Sequence, residues 1–354
     1  MDVKAALTSD NFVHDEIGTN QCFDWGWIED NRRATDDAIK GAAHVTTLEL
    51  VNNRLVPNAM EPRCSMASYK ESSDEYTLHT TSQNPHLTRL LISAFVMGIP
   101  ENKLTVIAPD VGGGFGSKIY HYGEEALVLA AAKRVGRTVK WTSDRTEAFL
   151  TDAHGRDHVT TIELATDAEG NFLAFRTETY ANVGAYLSNF ATATPTFLHG
   201  TLMAGNYTVP NVYVNVKEVF TNTAPVDAYR GAGRPEATYS LERVIDKCAR
   251  ELGMDPIALR RKNFIKPDQY PFASAAGLEY DSGNYDALMD KMEEVADVAG
   301  FAERRKASEA KGLLRGFGVN AYVEACGIAP SNLVGVLGSR VGLYDAATVR
   351  VNAT

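Results

Sequence analysis

His158-Val-Thr-Thr-Ile-Glu-Leu-Ala-Thr166, followed by Asp167-Ala168-Glu169-Gly170 and a second alternating run from Phe172 to Asn182, predicts a long β-hairpin. Apolar and β-branched residues recur at every second position in both arms, as a strand with one buried face requires. Asp and Gly supply the turn between them. Outward from the hairpin, short strands are predicted over 43–50, 76–81, 104–108, 138–142 and Val212 to Phe220. Between them lie helical signals. Leu87, Leu90, Leu91, Ala94, Phe95 and Met97 share one helical face ending at Gly98, and Glu124 to Val135 is closed by Gly136. Pro235 opens a helix to about Leu252, Asp255-Pro256 starts another, and Tyr285 to Lys311 is mostly helical. Adjacent hairpins interleaved with helices, without a clean βαβ repeat, predict an α+β fold. The first forty residues, interrupted by Asp24-Trp25-Gly26-Trp27, read as an irregular arm. Gly316 to Cys326 and Val349 to Val351 read as strands, the last without a partner, so a piece of a longer chain is expected.

The 354 residues are 44% hydrophobic and 23% charged, a soluble globular composition that excludes disordered, collagen-like and coiled-coil chains. A net charge of -10 opposes nucleic acid or an anionic membrane as the main partner. No apolar run approaches a membrane span, and the start lacks the basic flank and apolar core of a signal peptide, which predicts a cytoplasmic protein. Cys22, Cys64, Cys248 and Cys326 lack the spacing of zinc, dithiol or cluster sites and are read as reduced thiols. Any redox centre must then reside in another cofactor or another chain.

Three polar clusters stand at element ends. Gly112-Gly113-Gly114-Phe115-Gly116 lets backbone approach an anion closely and aim several N–H groups at it. The order Gly116-Ser117-Lys118 fails the Walker pattern, and no Gly-x-Gly-x-x-Gly register sits in a βαβ unit. Ala228-Tyr229-Arg230-Gly231-Ala232-Gly233-Arg234-Pro235-Glu236 places two arginines around a small-residue loop at a helix start, which suits an anion or an exposed turn. Gln83-Asn84 adds a third cluster, read alone as an ordinary helix cap. His154-Gly155-Arg156-Asp157-His158 reads as a structural turn rather than a zinc helix, and Glu124-Glu125 and Glu293-Glu294 as solvated helix faces. Taken together, the three clusters suit a large anionic cofactor with terminal oxygens.

The ordered set Gln83-Asn84-Pro85-His86, Gly112 to Lys118, Val139-Lys140-Trp141, Asp144-Arg145, His154 to Asp157 and Ala228 to Ala237 resembles the molybdenum hydroxylase family. Within it the chain is similar to the large subunit of aerobic-type carbon monoxide dehydrogenases and their relatives, including xanthine dehydrogenase. The resemblance implies the α+β molybdopterin-binding fold of the aldehyde oxidase/xanthine dehydrogenase type. It implies molybdenum on molybdopterin cytosine dinucleotide, with electrons leaving through an iron–sulfur subunit and an FAD subunit. It also implies a division into a linker over 1–42, a first molybdopterin-binding domain over 43–312 and the start of a second over 313–354.

Carried over by resemblance, Gln83 hydrogen-bonds an oxo ligand of molybdenum, and Gly113, Gly114, Phe115 and Gly116 form the loop whose amides face it. Tyr229, Arg230, Gly231, Ala232, Gly233 and Arg234 form the active-site loop, with Arg230 and Arg234 anchoring cofactor or substrate, and no side chain ligates the metal directly. Carbon monoxide oxidisers resemble one another in Ala-Tyr-Arg-Cys-Ser-Phe-Arg, whose cysteine holds copper. Gly231 stands in place of that cysteine, so the second form of the subunit is expected, hydroxylating aldehyde or N-heterocycle C–H bonds. The alternatives are carbon monoxide oxidation and a non-catalytic piece of a split gene. The family's glutamate base lies beyond the region matched here, and none of Glu124, Glu125 or Glu324 fits its motif.

Overall fold

A computed structural model describes residues 2–325, 335 and 347–351. The chain forms one unit over Met1–Ala321 and a second over Tyr322–Thr354. The strands are β1 (Gln21–Trp27), β2 (His44–Asn52), β3 (Cys64–Lys70), β4 (Glu75–Thr80), β5 (Leu104–Ile107), β6 (Val139–Thr142), β7 (His158–Thr166), β8 (Phe172–Gly184), β9 (Asn211–Phe220), β10 (Phe272–Ala273) and β11 (Glu279–Tyr280). The helices are α1 (Val3–Leu7), α2 (Arg32–Gly41), α3 (Pro85–Leu91), α4 (Gly123–Val135), α5 (Arg145–Thr151), α6 (Phe197–Gly200), α7 (Arg234–Leu252), α8 (Pro256–Asn263), α9 (Tyr285–Val295) and α10 (Phe301–Glu309).

The hairpin forms as its alternation predicts. β7 and β8 pair antiparallel with Ile162 opposite Thr177 and Leu164 opposite Phe175. Asp167 accepts from the Glu169 and Asn171 amides at the turn, at 3.0 and 2.8 Å. The sheet runs β1-β9-β8-β7-β2, with β8 and β9 parallel. One face buries Ile162, Leu164, Phe175, Val212, Val214 and Val216 against Ala237, Leu241, Val244, Ile245 and Cys248 of α7. Each such large apolar side chain contributes roughly 1.5–3 kcal/mol on burial. Val319 and Ala321, past the expected boundary at 312, also pack against this core. On the opposite face Arg176 and Glu163, which alternate with core residues, form an ion-pair cluster with Asp36 of α2.

A second sheet, β5-β4-β3-β6, packs Ala67, Leu78 and Leu104 against Leu129 and Ala132 of α4. β4 and β5 are parallel, joined through α3, so one βαβ crossover is present. β5 leads toward the glycine-rich loop, which therefore emerges from the end of a parallel strand.

Several expectations require correction. Residues 1–42 are not irregular: β1 pairs with β9, and α2 packs on β8 and β9. A bulge between Gln21 and Phe23 shifts the register and hides the alternation. Beyond it, Trp25 and Trp27 stack at 5.3 Å. After α3 the helix widens to a π-turn over Ile92–Met97. The extra residue rotates the face, so Thr88, Ile92 and Ser93 are buried while Ala94 and Phe95 are exposed, Phe95 at 78%. Residues 316–325 and 347–351 form no strand, because alternation alone supplies no ladder partner; Cys326 lies outside the described residues. Glu125 is buried, accepting from Thr80 Oγ1, the His121 ring and the Tyr122 amide. Glu124 pairs with buried Arg63, and Glu293 with Arg261. Among the described residues no helix is long and apolar enough to cross a membrane.

One buried carboxyl yields a pH prediction. Glu218 on β9 is inaccessible, one oxygen accepts from Cys22 Sγ at 3.7 Å, and the other has no partner among the described residues. Desolvation pushes its pKa up to about 8, so the folded chain keeps a proton that the unfolded chain releases near its ordinary value of 4.5. Stability should therefore fall as pH rises between those values. Glu218→Gln is expected to raise the urea midpoint at pH 8 and to give little gain at pH 4.5. An equal gain at both pH values would show that the carboxyl is not the cause.

Candidate cofactor-binding site

The glycine loop between β5 and α4 takes a left-handed path. Gly113, Phe115 and Gly116 have φ of 98°, 55° and 103°. Its base is held by Glu61, which accepts from the Gly112 amide at 2.8 Å and from Lys118 Nζ at 2.9 Å. The Lys118 side chain is only 1% exposed, so this lysine is a buried tether rather than an anion ligand. The same pairing with Lys118 holds the Glu61 carboxyl below its ordinary pKa, against the opposing effect of desolvation.

Gln83 closes the loop from the other side. Its backbone amide donates to the Lys118 carbonyl at 2.8 Å, and its Oε1 accepts from the Gly116 amide at 2.9 Å. Asn84 meanwhile caps α3 through the Leu87 amide at 3.3 Å. The side chain of Gln83 lies so close to Gly114 that a Cβ there would sit 2.2 Å from Oε1. Among the described residues, the Gly114 and Phe115 amides donate to no protein group.

The arginine loop docks directly onto this structure. The Arg230 amide donates to the Phe115 carbonyl at 3.0 Å, and Tyr120 Oη donates to the Ala228 carbonyl at 3.0 Å. A Cβ on Gly116 would lie 2.2 Å from that carbonyl oxygen. Gly231, Ala232 and Gly233 continue at φ of 100°, 47° and 84°. Arg230 is exposed, whereas Arg234 folds back to the Gly231 carbonyl at 3.2 Å. The fold thus gathers Gln83, Gly113 to Gly116 and Tyr229 to Arg234 from three separate segments. Two unengaged amides and an exposed guanidinium are the donors that this assembled surface can offer to anionic oxygens.

Composition and spacing did not single out Arg156. Its guanidinium, 7% exposed, donates to the Tyr229 carbonyl at 2.8 Å and the Arg230 carbonyl at 2.8 Å, and pairs with Glu236 at 3.0 Å. A charged residue in a Gly-containing turn looks solvated in sequence, and no local signal shows that the turn faces inward. Asp227, beneath the loop, accepts from the Ala228 and Phe190 amides at 2.6 and 2.9 Å. His158 and His199 are buried ring to ring at 5.9 Å, and desolvation pushes His199 down to about 4. Among the described residues no group of three or more His, Cys, Asp or Glu is placed to hold a metal.

The molybdopterin cofactor-binding domain family matches residues 13–264, which include every residue of this surface. The chain belongs to that family. It is 35% identical over 343 residues to the carbon monoxide dehydrogenase large chain of Hydrogenophaga pseudoflava, covering 95% of this chain and 42% of that protein. To the nicotine 6-hydroxylase large subunit of Paenarthrobacter nicotinovorans it is 31% identical, covering 90% of this chain and 39% of that protein. Quinoline 2-oxidoreductase from Pseudomonas putida 86 has a similar structure, with a TM-score of 0.81 and 30% identity over 87% of this chain and 39% of that one. The molybdopterin-binding chain therefore spans about two fifths of the length of these relatives.

Proposed function

We propose that this chain binds molybdenum on molybdopterin cytosine dinucleotide, as part of the large subunit of a cytoplasmic hydroxylase acting on aldehyde or N-heterocycle C–H bonds. The observation that carries the proposal is the docking of the glycine and arginine loops, which leaves the Gly114 and Phe115 amides uncommitted beside Gln83. The residues present fit an anionic group. A side chain at Gly116 would meet the Ala228 backbone and one at Gly114 would displace Gln83, and exposed Arg230 adds positive charge. Gln83, Gly113 to Gly116 and Arg230 would hold the cofactor, and Tyr229 to Arg234 would line the substrate side. When bound, the cofactor supplies two-electron oxidation, with the new oxygen drawn from water. The chain's own amides offer preorganised dipoles where negative charge accumulates. Iron–sulfur and FAD subunits would carry electrons onward, in keeping with Cys22, Cys64 and Cys248 being free thiols. Residues 313–354 would open the second molybdopterin-binding domain. Glu124 and Glu125 are committed to Arg63 and to Thr80 and His121, which leaves neither available as the base.

Carbon monoxide oxidation is the second reading, because two similar proteins carry that name. Gly231 argues against it. Glycine offers no thiolate for copper, and a Cβ there would lie 2.4 Å from Pro235 Cγ at a φ of 100°. Elemental analysis of the assembled enzyme is expected to find molybdenum near one equivalent and no stoichiometric copper. Equimolar copper would overturn the hydroxylase reading in favour of carbon monoxide. A preparation without molybdopterin would leave a non-catalytic piece of a split gene.

A further inference from the structure

We propose that Arg156 is a positioning residue that orients two successive peptide units of the arginine loop, aiming the Gly231 N–H outward as a further donor to anionic cofactor oxygens. The peptide joining Tyr229 to Arg230 is held at both ends. Its carbonyl accepts from Arg156 Nη1 at 2.8 Å, and its N–H donates to the Phe115 carbonyl at 3.0 Å. In the next peptide the Arg230 carbonyl accepts from Arg156 Nη2 at 2.8 Å. A trans peptide is planar, with C=O and N–H pointing to opposite sides. Holding the Arg230 carbonyl inward therefore turns the Gly231 N–H away from Arg156. That amide donates to no protein group among the described residues.

The clamp is itself braced. The guanidinium lies 4.9 Å from the Tyr229 ring centroid and pairs with Glu236 in the first turn of α7. Arg156 and Asp157 have φ of 67° and 70°, a pair of left-handed residues that persists only when the surroundings over-determine it. Asp157 supplies that restraint, accepting from Arg54 Nε at 2.8 Å and Asn182 Nδ2 at 2.9 Å. Only a planar fork reaches two adjacent carbonyls and a carboxylate at once, and the point charge of lysine cannot.

The cofactor consequence rests on the molybdopterin reading, and the geometry of the clamp does not. Arg156→Met, Arg156→Lys and Glu236→Gln should be prepared in the assembled enzyme. Hydrogen exchange at 229–232 is expected to quicken in both Arg156 variants, about tenfold in Arg156→Lys, the effect of losing roughly one net hydrogen bond, and more in Arg156→Met, which loses both carbonyl contacts. Exchange across 158–182 should stay near wild type, and pterin fluorescence per protein should fall with the loop's protection. Glu236→Gln, which keeps both carbonyl contacts, should show a smaller change of the same sign. If Arg156→Met does not fold, Arg156→Lys and Glu236→Gln decide the result. Full protection and normal pterin content in Arg156→Lys would overturn the fork argument. Unchanged exchange at 229–232 in the variants that fold would overturn the clamp altogether. A wild-type enzyme lacking pterin would refute the molybdopterin reading alone, since the exchange data judge the clamp independently.

Discussion

Gly116→Ala is expected to destabilise the chain by on the order of 3 kcal/mol and to strip the assembled enzyme of molybdopterin. Two effects add. At a φ of 103° any side chain is strained, and the new Cβ would lie 2.2 Å from the Ala228 carbonyl oxygen and 2.8 Å from its carbon. Both neighbours are backbone, so the conflict cannot be relieved by a rotamer change. The loops must separate, which breaks the hydrogen bonds from Arg230 N to Phe115 O and from Gly116 N to Gln83 Oε1. Urea denaturation should show a clearly lower midpoint, and pterin content should fall with it. Wild-type values for both would mean that the two loops do not depend on their contact at Gly116.

Gly114→Val is expected to act mainly on cofactor retention, with a smaller cost to the fold than Gly116→Ala. Gly114 is not in the left-handed region, and the conflict is with the Gln83 side chain, whose Oε1, Cδ and Cγ lie 2.2, 2.5 and 2.8 Å from the added Cβ. Gln83 can swing outward. It then abandons the Gly116 amide and fills the space in front of the loop. Valine also restricts the backbone at Gly114 and turns its unengaged N–H aside; losing one preorganised donor typically costs about 3 kcal/mol of transition-state stabilisation, and the displaced Gln83 side chain adds to it. Gly170→Ala is the control. It sits in the hairpin turn at a φ of 85° with Met254 Sδ 3.0 Å and Leu259 Cδ1 3.3 Å from the new Cβ. Strain there should cost about 1–2 kcal/mol and leave cofactor binding unchanged. Molybdenum per protein, measured for both variants under identical expression, separates the cases. Normal metal content in Gly114→Val would reduce the loop to a turn.

The two glycines also show why their roles differ in a way the letters do not. Gly114 and Gly116 are indistinguishable as characters in Gly112-Gly113-Gly114-Phe115-Gly116, yet one faces a movable side chain and the other a carbonyl from residue 228. Local pattern was enough for the hairpin, for α7 from Pro235 to Leu252, and for α4 with its Gly136 cap, because period and capping depend on neighbours in the chain. It failed at β1, where a bulge breaks the period, and along Ile92–Met97, where a π-turn rotates the face.

Sequence alone supplied the residue types of the candidate site: amide-rich glycines, a glutamine at a helix start and arginines beside a small-residue loop. The fold brought these three segments to one place, and it gave Arg156 and Lys118 inward roles that their charge would not suggest. The physical reason is range. Hydrophobic period, caps and turns act over a few residues, whereas the desolvation that turns a surface arginine into a buried clamp comes from elements about 70 to 80 positions away in the chain.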